Sequence, residues 1–129
     1  MKPRAPGYHG RYIVVADEDR AVVSLVVETL LDDGHAVFHA YDGLSAVQLA
    51  LGLKVCDLVI TNTRVGGMMG LDLIHDLRVR RPTLPILYLD NPSRPGPESA
   101  EALPRDVPVL SEPFTPEELR AAVRYLLEV

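Results

Sequence analysis

The sequence predicts an α/β protein: a three-layer α/β/α sandwich around a five-stranded parallel sheet. Three observations predict it. Short apolar runs lack polar alternation, amphipathic helical segments separate them, and the 129 residues are close to the usual length of one domain. Uniformly apolar strands are those covered on both faces, and parallel neighbours need crossover helices with right-handed connections.

The first strand is Tyr12-Ile13-Val14-Val15-Ala16, ending at Asp17. From Asp19 to Asp33 the residues Val22, Val23, Val26, Val27, Leu30 and Leu31 recur at helical spacing, and Gly34 follows as a stop. The unit repeats as a strand over 36–39 and a helix opened by Asp42-Gly43, which carries Leu44, Val47 and Leu51 and ends near Leu53. A third strand covers 57–61. Gly66, Gly67 and Gly70 make a permissive loop before a helix from about 71 to 79, and Pro82 and Pro85 bracket the turn into a strand over 86–89. Between Asp90 and the last strand lie Pro92, Pro95, Pro97, Pro104 and Pro108, which leave only 98–103 able to turn helically. The fourth helix is therefore expected to be short or irregular. The last strand, 107–110, precedes Thr115-Pro116-Glu117-Glu118, which combines an N-cap, a first-turn proline and a capping-box glutamate. Leu119, Ala122, Val123, Leu126 and Leu127 then form one face of the final helix.

A hydrophobic content of 47% against 24% charged residues suits a packed core rather than a disordered chain. Thirteen Lys and Arg against 18 Asp and Glu leave a net charge of -5, so there is no general basic field for nucleic acid or anionic lipid, and no direct nucleic-acid or membrane contact is expected. Cys56 is the only cysteine, which excludes an internal disulfide and a cysteine-based zinc site and suits a reducing, cytoplasmic setting. Residues 1–11 carry Lys2, Arg4 and Arg11 without a following apolar run, and with Pro3, Pro6, Gly7 and Gly10 they read as a flexible leader to a domain over 12–129.

Sites in open parallel sheets form beyond the carboxyl ends of the strands. Here those ends are Asp17-Glu18, Asn62, Asp90 and Glu112-Pro113, so four carboxylates and one amide are expected to face a common crevice. Five stretches, in this order and spacing, resemble the receiver domain of two-component response regulators. They are Val14-Val15-Ala16-Asp17-Glu18, Tyr41-Asp42-Gly43, Asp57-Leu58-Val59-Ile60, Gly67-Met68-Met69-Gly70 and Glu112-Pro113-Phe114-Thr115. The resemblance covers 12–129 and implies a flavodoxin-like fold with strand order 2-1-3-4-5. In that family an aspartate ending strand three attacks a phosphodonor, and a magnesium ion held by the acidic pair joins the attacking and transferred oxygens. A threonine or serine after strand four and a lysine after strand five hold the phosphoryl group.

Carried over residue by residue, the resemblance assigns Asp17 and Glu18 to the acidic pair. It places Asn62 at the phosphoacceptor, Asp90 at the hydroxyl residue, Glu112 at the lysine and Val109 at the position that often bears a switch aromatic. A carboxamide cannot form the acyl phosphate that a carboxylate forms, and Glu112 repels a phosphoryl dianion where lysine attracts it. The expectation is a pseudo-receiver for phosphorelay signalling that is not an enzyme and is independent of phosphorylation. With no output region after the last helix of this sequence, it is expected to act through a sensor kinase, an output protein, a second copy or a larger assembly. One rival is a metal-dependent phosphoacceptor switch using a neighbouring carboxylate such as Asp90; another is a flavin-binding module, for which no Ser- or Thr-rich phosphate loop is visible.

For the crevice itself, one reading is a magnesium or calcium site with Asp17, Glu18 and the Asn62 amide oxygen as hard ligands, helped by Asp90 or Glu112. The other is a hydrated acidic cluster whose crowding raises carboxylate pKa values. The Gly66–Gly70 loop lacks the lysine and hydroxyl of a P-loop. His9, His35, His39 and His75 form no ligand pair at helical spacing, and Cys56 has no His partner in sight, so structural or surface roles are expected for all five.

Overall fold

In a computed structural model, which describes residues 10–53, 55–92 and 103–128, five parallel strands pair in the order β2-β1-β3-β6-β7. They are β1 (Tyr12–Ala16), β2 (Ala36–Ala40), β3 (Leu58–Asn62), β6 (Ile86–Asp90) and β7 (Val109–Ser111). The described residues also form α1 (Arg20–Asp32), α2 (Gly43–Gly52), α3 (Gly70–Arg80) and α4 (Pro116–Leu127), and a small hairpin of β4 (Arg64–Val65) and β5 (Met68–Met69).

Each central strand is apolar on both sides because each side meets a helical layer. Ile13, Val15, Leu58, Ile60, Leu87 and Leu89 pack with Val26 and Leu30 of α1 and Leu119 and Val123 of α4. The alternate residues Val14, Val59, Ile86 and Tyr88 pack with Ala46 and Ala50 of α2 and Leu73, Ile74 and Leu77 of α3. The uninterrupted apolar runs thus divide by parity between two cores, which is the period-2 geometry of a strand.

Helix boundaries follow capping chemistry. The Asp19 side chain accepts from the backbone N–H of Ala21 and Val22, and Asp42 accepts from Ser45, so both aspartates stop short of the helices they open. Gly34, at φ 90, turns the chain after α1 where a side chain would be strained. Thr115 and Glu118 complete a reciprocal capping box with Pro116 in the first turn, as the sequence predicts.

Two expectations differ. The last strand, expected over 107–110, pairs only from Val109 to Ser111. Val107 N–H closes a turn onto the Pro104 carbonyl, and Pro108, which has no N–H, offers only its carbonyl to Tyr88 N–H. The glycine loop after β3 contains the β4–β5 hairpin rather than only irregular chain, with Val65 opposite Met68. The short fourth helix expected over 98–103 falls mostly on residues outside the described ones; Leu103, which is described, is buried.

Candidate functional site

The carboxyl ends of β1, β3, β6 and β7 lie on one edge of the sheet, and their terminal residues meet there. Asp17 follows β1 and is 2% exposed, held in register because its N–H donates to the Ala40 carbonyl of β2 at 3.1 Å. Its Oδ1 accepts from Asp19 N–H at 2.9 Å, within the turn that starts α1. Its Oδ2 accepts from Asn62 Nδ2 at 2.7 Å.

Asn62 ends β3 and is 6% exposed. The same Nδ2 also donates to Glu112 Oε2 at 2.9 Å, and the amide Oδ1 accepts from Thr63 N–H at 2.6 Å. Turning the amide over would set its oxygen against two carboxylates and its NH2 against a backbone donor, so the network determines which atom is which. Glu112 is brought within reach because its N–H donates to the Asp90 carbonyl at 2.8 Å, extending the pairing of β6 and β7 by one residue.

Burial drives the Asp17 carboxyl up to about 6, aided by the nearby Glu112 and Asp19 charges and opposed by the N–H donors of Asp19 and Asn62. The Thr63 peptide is fixed from two further sides. Tyr88 Oη donates to Thr63 Oγ1 at 3.2 Å, and Gly70 N–H donates to the Thr63 carbonyl at 2.7 Å. A Cβ on Gly70 would overlap the Asn62 carbonyl oxygen, so only glycine allows this close approach.

Of the residues singled out in the sequence, Asp17, Asn62 and Glu112 are brought into direct contact, and Glu18 lines the same crevice. Asp90 contributes its backbone carbonyl, which accepts from Glu112 N–H. Val109 is 43% exposed on β7, opposite Tyr88. Asp19, Thr63, Arg64 and Asn91 also line the crevice and were not singled out. Their signal was available: each follows the last residue of a strand by one to three positions.

The other candidates lie elsewhere. His35 is buried with its Nδ1 accepting from Arg11 N–H at 3.0 Å, His39 is exposed beside Tyr41, His75 is exposed on α3, and His9 lies outside the described residues. The Cys56 thiol is buried and donates to the Leu58 carbonyl at 3.7 Å, and burial raises its pKa.

As arranged, the crevice does not fit a divalent cation. A hard cation needs converging oxygens, whereas Asn62 directs N–H donors at Asp17 and Glu112 and commits its oxygen to Thr63. Among the described residues no three His, Cys, Asp or Glu side chains are grouped to hold a metal ion, and no helix is long and apolar enough to cross a membrane.

The family model of the response regulator receiver domain matches residues 13–124. The chain is similar to the transcriptional regulatory protein TctD of Salmonella typhimurium, with 31% identity over 115 residues, covering 89% of this chain and 51% of that protein. It is also similar to the probable transcriptional regulatory protein TcrX of Mycobacterium tuberculosis, with 29% identity over 115 residues, 89% of this chain and 49% of the relative. The chain thus spans about half the length of these curated relatives. Among solved structures, a putative response regulator from Chloroflexus aurantiacus superimposes with a TM-score of 0.79 at 25% identity, covering 94% of this chain and 100% of the other. The chemotaxis protein CheY4 of Vibrio cholerae superimposes at 0.81 and 24% identity, covering 92% of this chain and 100% of the other, a likeness of fold.

Proposed function

The chain belongs to the response regulator receiver family, and from that premise we propose that it is a receiver whose signalling does not pass through phosphorylation of its own crevice. A receiver is a signalling module of two-component systems rather than a catalytic enzyme. We assign the receiver to residues 12–129, a reading that the family match over 13–124 supports.

The observation that carries the proposal is Asn62 at the carboxyl end of β3, with its amide between Asp17 and Glu112. In the alignment that the five motifs imply, this is the phosphoacceptor position. An uncharged carboxamide is not a nucleophile toward phosphorus. Glu112, at the lysine position, would repel the incoming dianion, and Asp90, at the hydroxyl position, supplies no hydroxyl donor. Val109 takes the place of the switch aromatic. The departures at 62, 90 and 112 act in one direction.

Output then runs through protein contact, with a sensor kinase, an output protein or a second copy as partner. The net charge of -5 supports contact with protein rather than direct contact with nucleic acid. The test is incubation of the whole chain with a small acyl phosphate and magnesium, followed by intact mass. No phosphoryl increment is expected, and any captured partner is expected to bind equally with and without the donor. A stable increment mapped to a crevice residue would overturn the proposal; mapped to Asp90, it would establish a substitute phosphoacceptor.

A further inference from the structure

We propose that the Asn62 amide is a built-in substitute for a bound cation: its two N–H donors clasp Asp17 and Glu112 and hold the crevice in one closed arrangement without metal or phosphoryl group. The proposal deepens the reading above, since it rests on this crevice being the receiver's site.

The geometry supports it in three ways. First, Nδ2 has two hydrogens and meets two carboxylate oxygens, at 2.7 Å on Asp17 and 2.9 Å on Glu112, so one side chain offsets the mutual repulsion of two charges. Second, the clasp spans the sheet. Asp17 follows β1 and Glu112 follows β7, with β3 and β6 between them in the strand order, so a single group ties the ends of strands that are not neighbours. Third, the amide is prevented from turning. Its oxygen holds Thr63 N–H, Thr63 Oγ1 is held by Tyr88, and the Thr63 carbonyl is held by Gly70 N–H in a space with no room for a Cβ. Both hydrogens of Nδ2 and the amide oxygen are thus in use, and a cation placed between the two carboxylates would take the position that Nδ2 holds.

Thermal melts of the whole chain with magnesium chloride or calcium chloride at about 10 mM test the clasp. The wild type is expected to shift by no more than about 1 °C. Asn62→Asp, which removes both donors, is expected to melt on the order of 10 °C lower without cation and to regain several degrees when magnesium is added. A wild-type rise of several degrees with either cation, or an Asn62→Asp variant as stable as wild type and indifferent to magnesium, would overturn the clasp. If Asn62→Asp does not fold, the Asn62 side-chain N–H resonances of the wild type decide: two separate, exchange-protected protons unmoved by magnesium support the clasp, and free-amide exchange removes it. Intact mass on the same wild-type samples separates the two proposals. A phosphoryl increment would remove the proposed function, whereas a cation-shifted melt would remove the clasp alone.

Discussion

Placing an aspartate at the end of β3 should not by itself give efficient phosphorylation there. In Asn62→Asp, a carboxylate oxygen would take the place of Nδ2, which stands 2.7 Å from Asp17 Oδ2 and 2.9 Å from Glu112 Oε2. At that separation and an effective dielectric of ~20, each pair of unit charges repels by roughly 6 kcal/mol before relaxation. The two charge-assisted hydrogen bonds of the wild type, about 1.5–3 kcal/mol each, disappear as well. If relaxation relieves one of the two pairs, the other still raises the new carboxyl by about 4.4 pKa units, which leaves about 5 per cent ionised at pH 7. Glu112→Lys converts one repulsion into attraction, and Asp90→Thr supplies a hydroxyl on β6. The triple variant should therefore take phosphate from a small acyl phosphate about 20-fold faster, or more, than Asn62→Asp alone, at the same millimolar magnesium. The assay is the rate of mass gain, with circular dichroism to verify that both variants are folded, and the non-additivity is the informative quantity. If Asn62→Asp alone matches the triple variant, Glu112 and Asp90 are bystanders and the electrostatic reasoning fails.

Three further outcomes follow from the same geometry. Asp17, raised from 3.8 to about 6, binds its proton more readily folded than unfolded, so its penalty is full above pH 6 and gone below about 4; relative to Asp17→Asn, the wild type should gain about 2 kcal/mol in urea unfolding between pH 7.5 and 4.5, and a constant difference would refute this. His35 has the opposite sign: burial lowers its pKa, so its stabilisation is complete above its ordinary value of 6.5 and is lost as pH falls through that value toward the lower folded one. His35→Asn, whose Oδ1 can take over the bond from Arg11 N–H, should flatten that acid limb, and an unchanged profile would count against it. Gly70→Ala should cost at least about 2 kcal/mol, since its Cβ meets backbone rather than a yielding side chain; a neutral result by chemical denaturation would show that the β3–α3 junction relaxes freely.

Val14-Val15-Ala16, Asp57-Leu58-Val59-Ile60 and the box at Thr115-Pro116-Glu117-Glu118 were legible because hydrophobic period and capping act over a few residues of chain. They determine the parallel α/β architecture, from which the meeting of strand ends follows, and the sheet order follows the family resemblance. The end of the last strand was misplaced because Pro108 contributes only a carbonyl there, and whether a proline ends a strand depends on the partner across from it.

The crevice shows the limit of local reading most clearly. Residue types at 17, 18, 62, 90 and 112 identify a cluster of four carboxylates and one amide, and that chemistry is fully present in the sequence. Crowded carboxylates read in one dimension imply repulsion, so removing charge would be expected to stabilise. The tertiary structure adds a partner for two of them, because Asp17 and Glu112 each find one hydrogen of the same amide, although burial still leaves Asp17 the easier to protonate, while Asp90 presents its backbone carbonyl to Glu112. The direction of a carboxamide is set by the Thr63 N–H behind it and the Tyr88 and Gly70 contacts that hold Thr63. Those contacts cross between elements and depend on angles as well as distances, so only the folded chain determines whether Asn62 faces the carboxylates as a ligand oxygen or as a pair of donors.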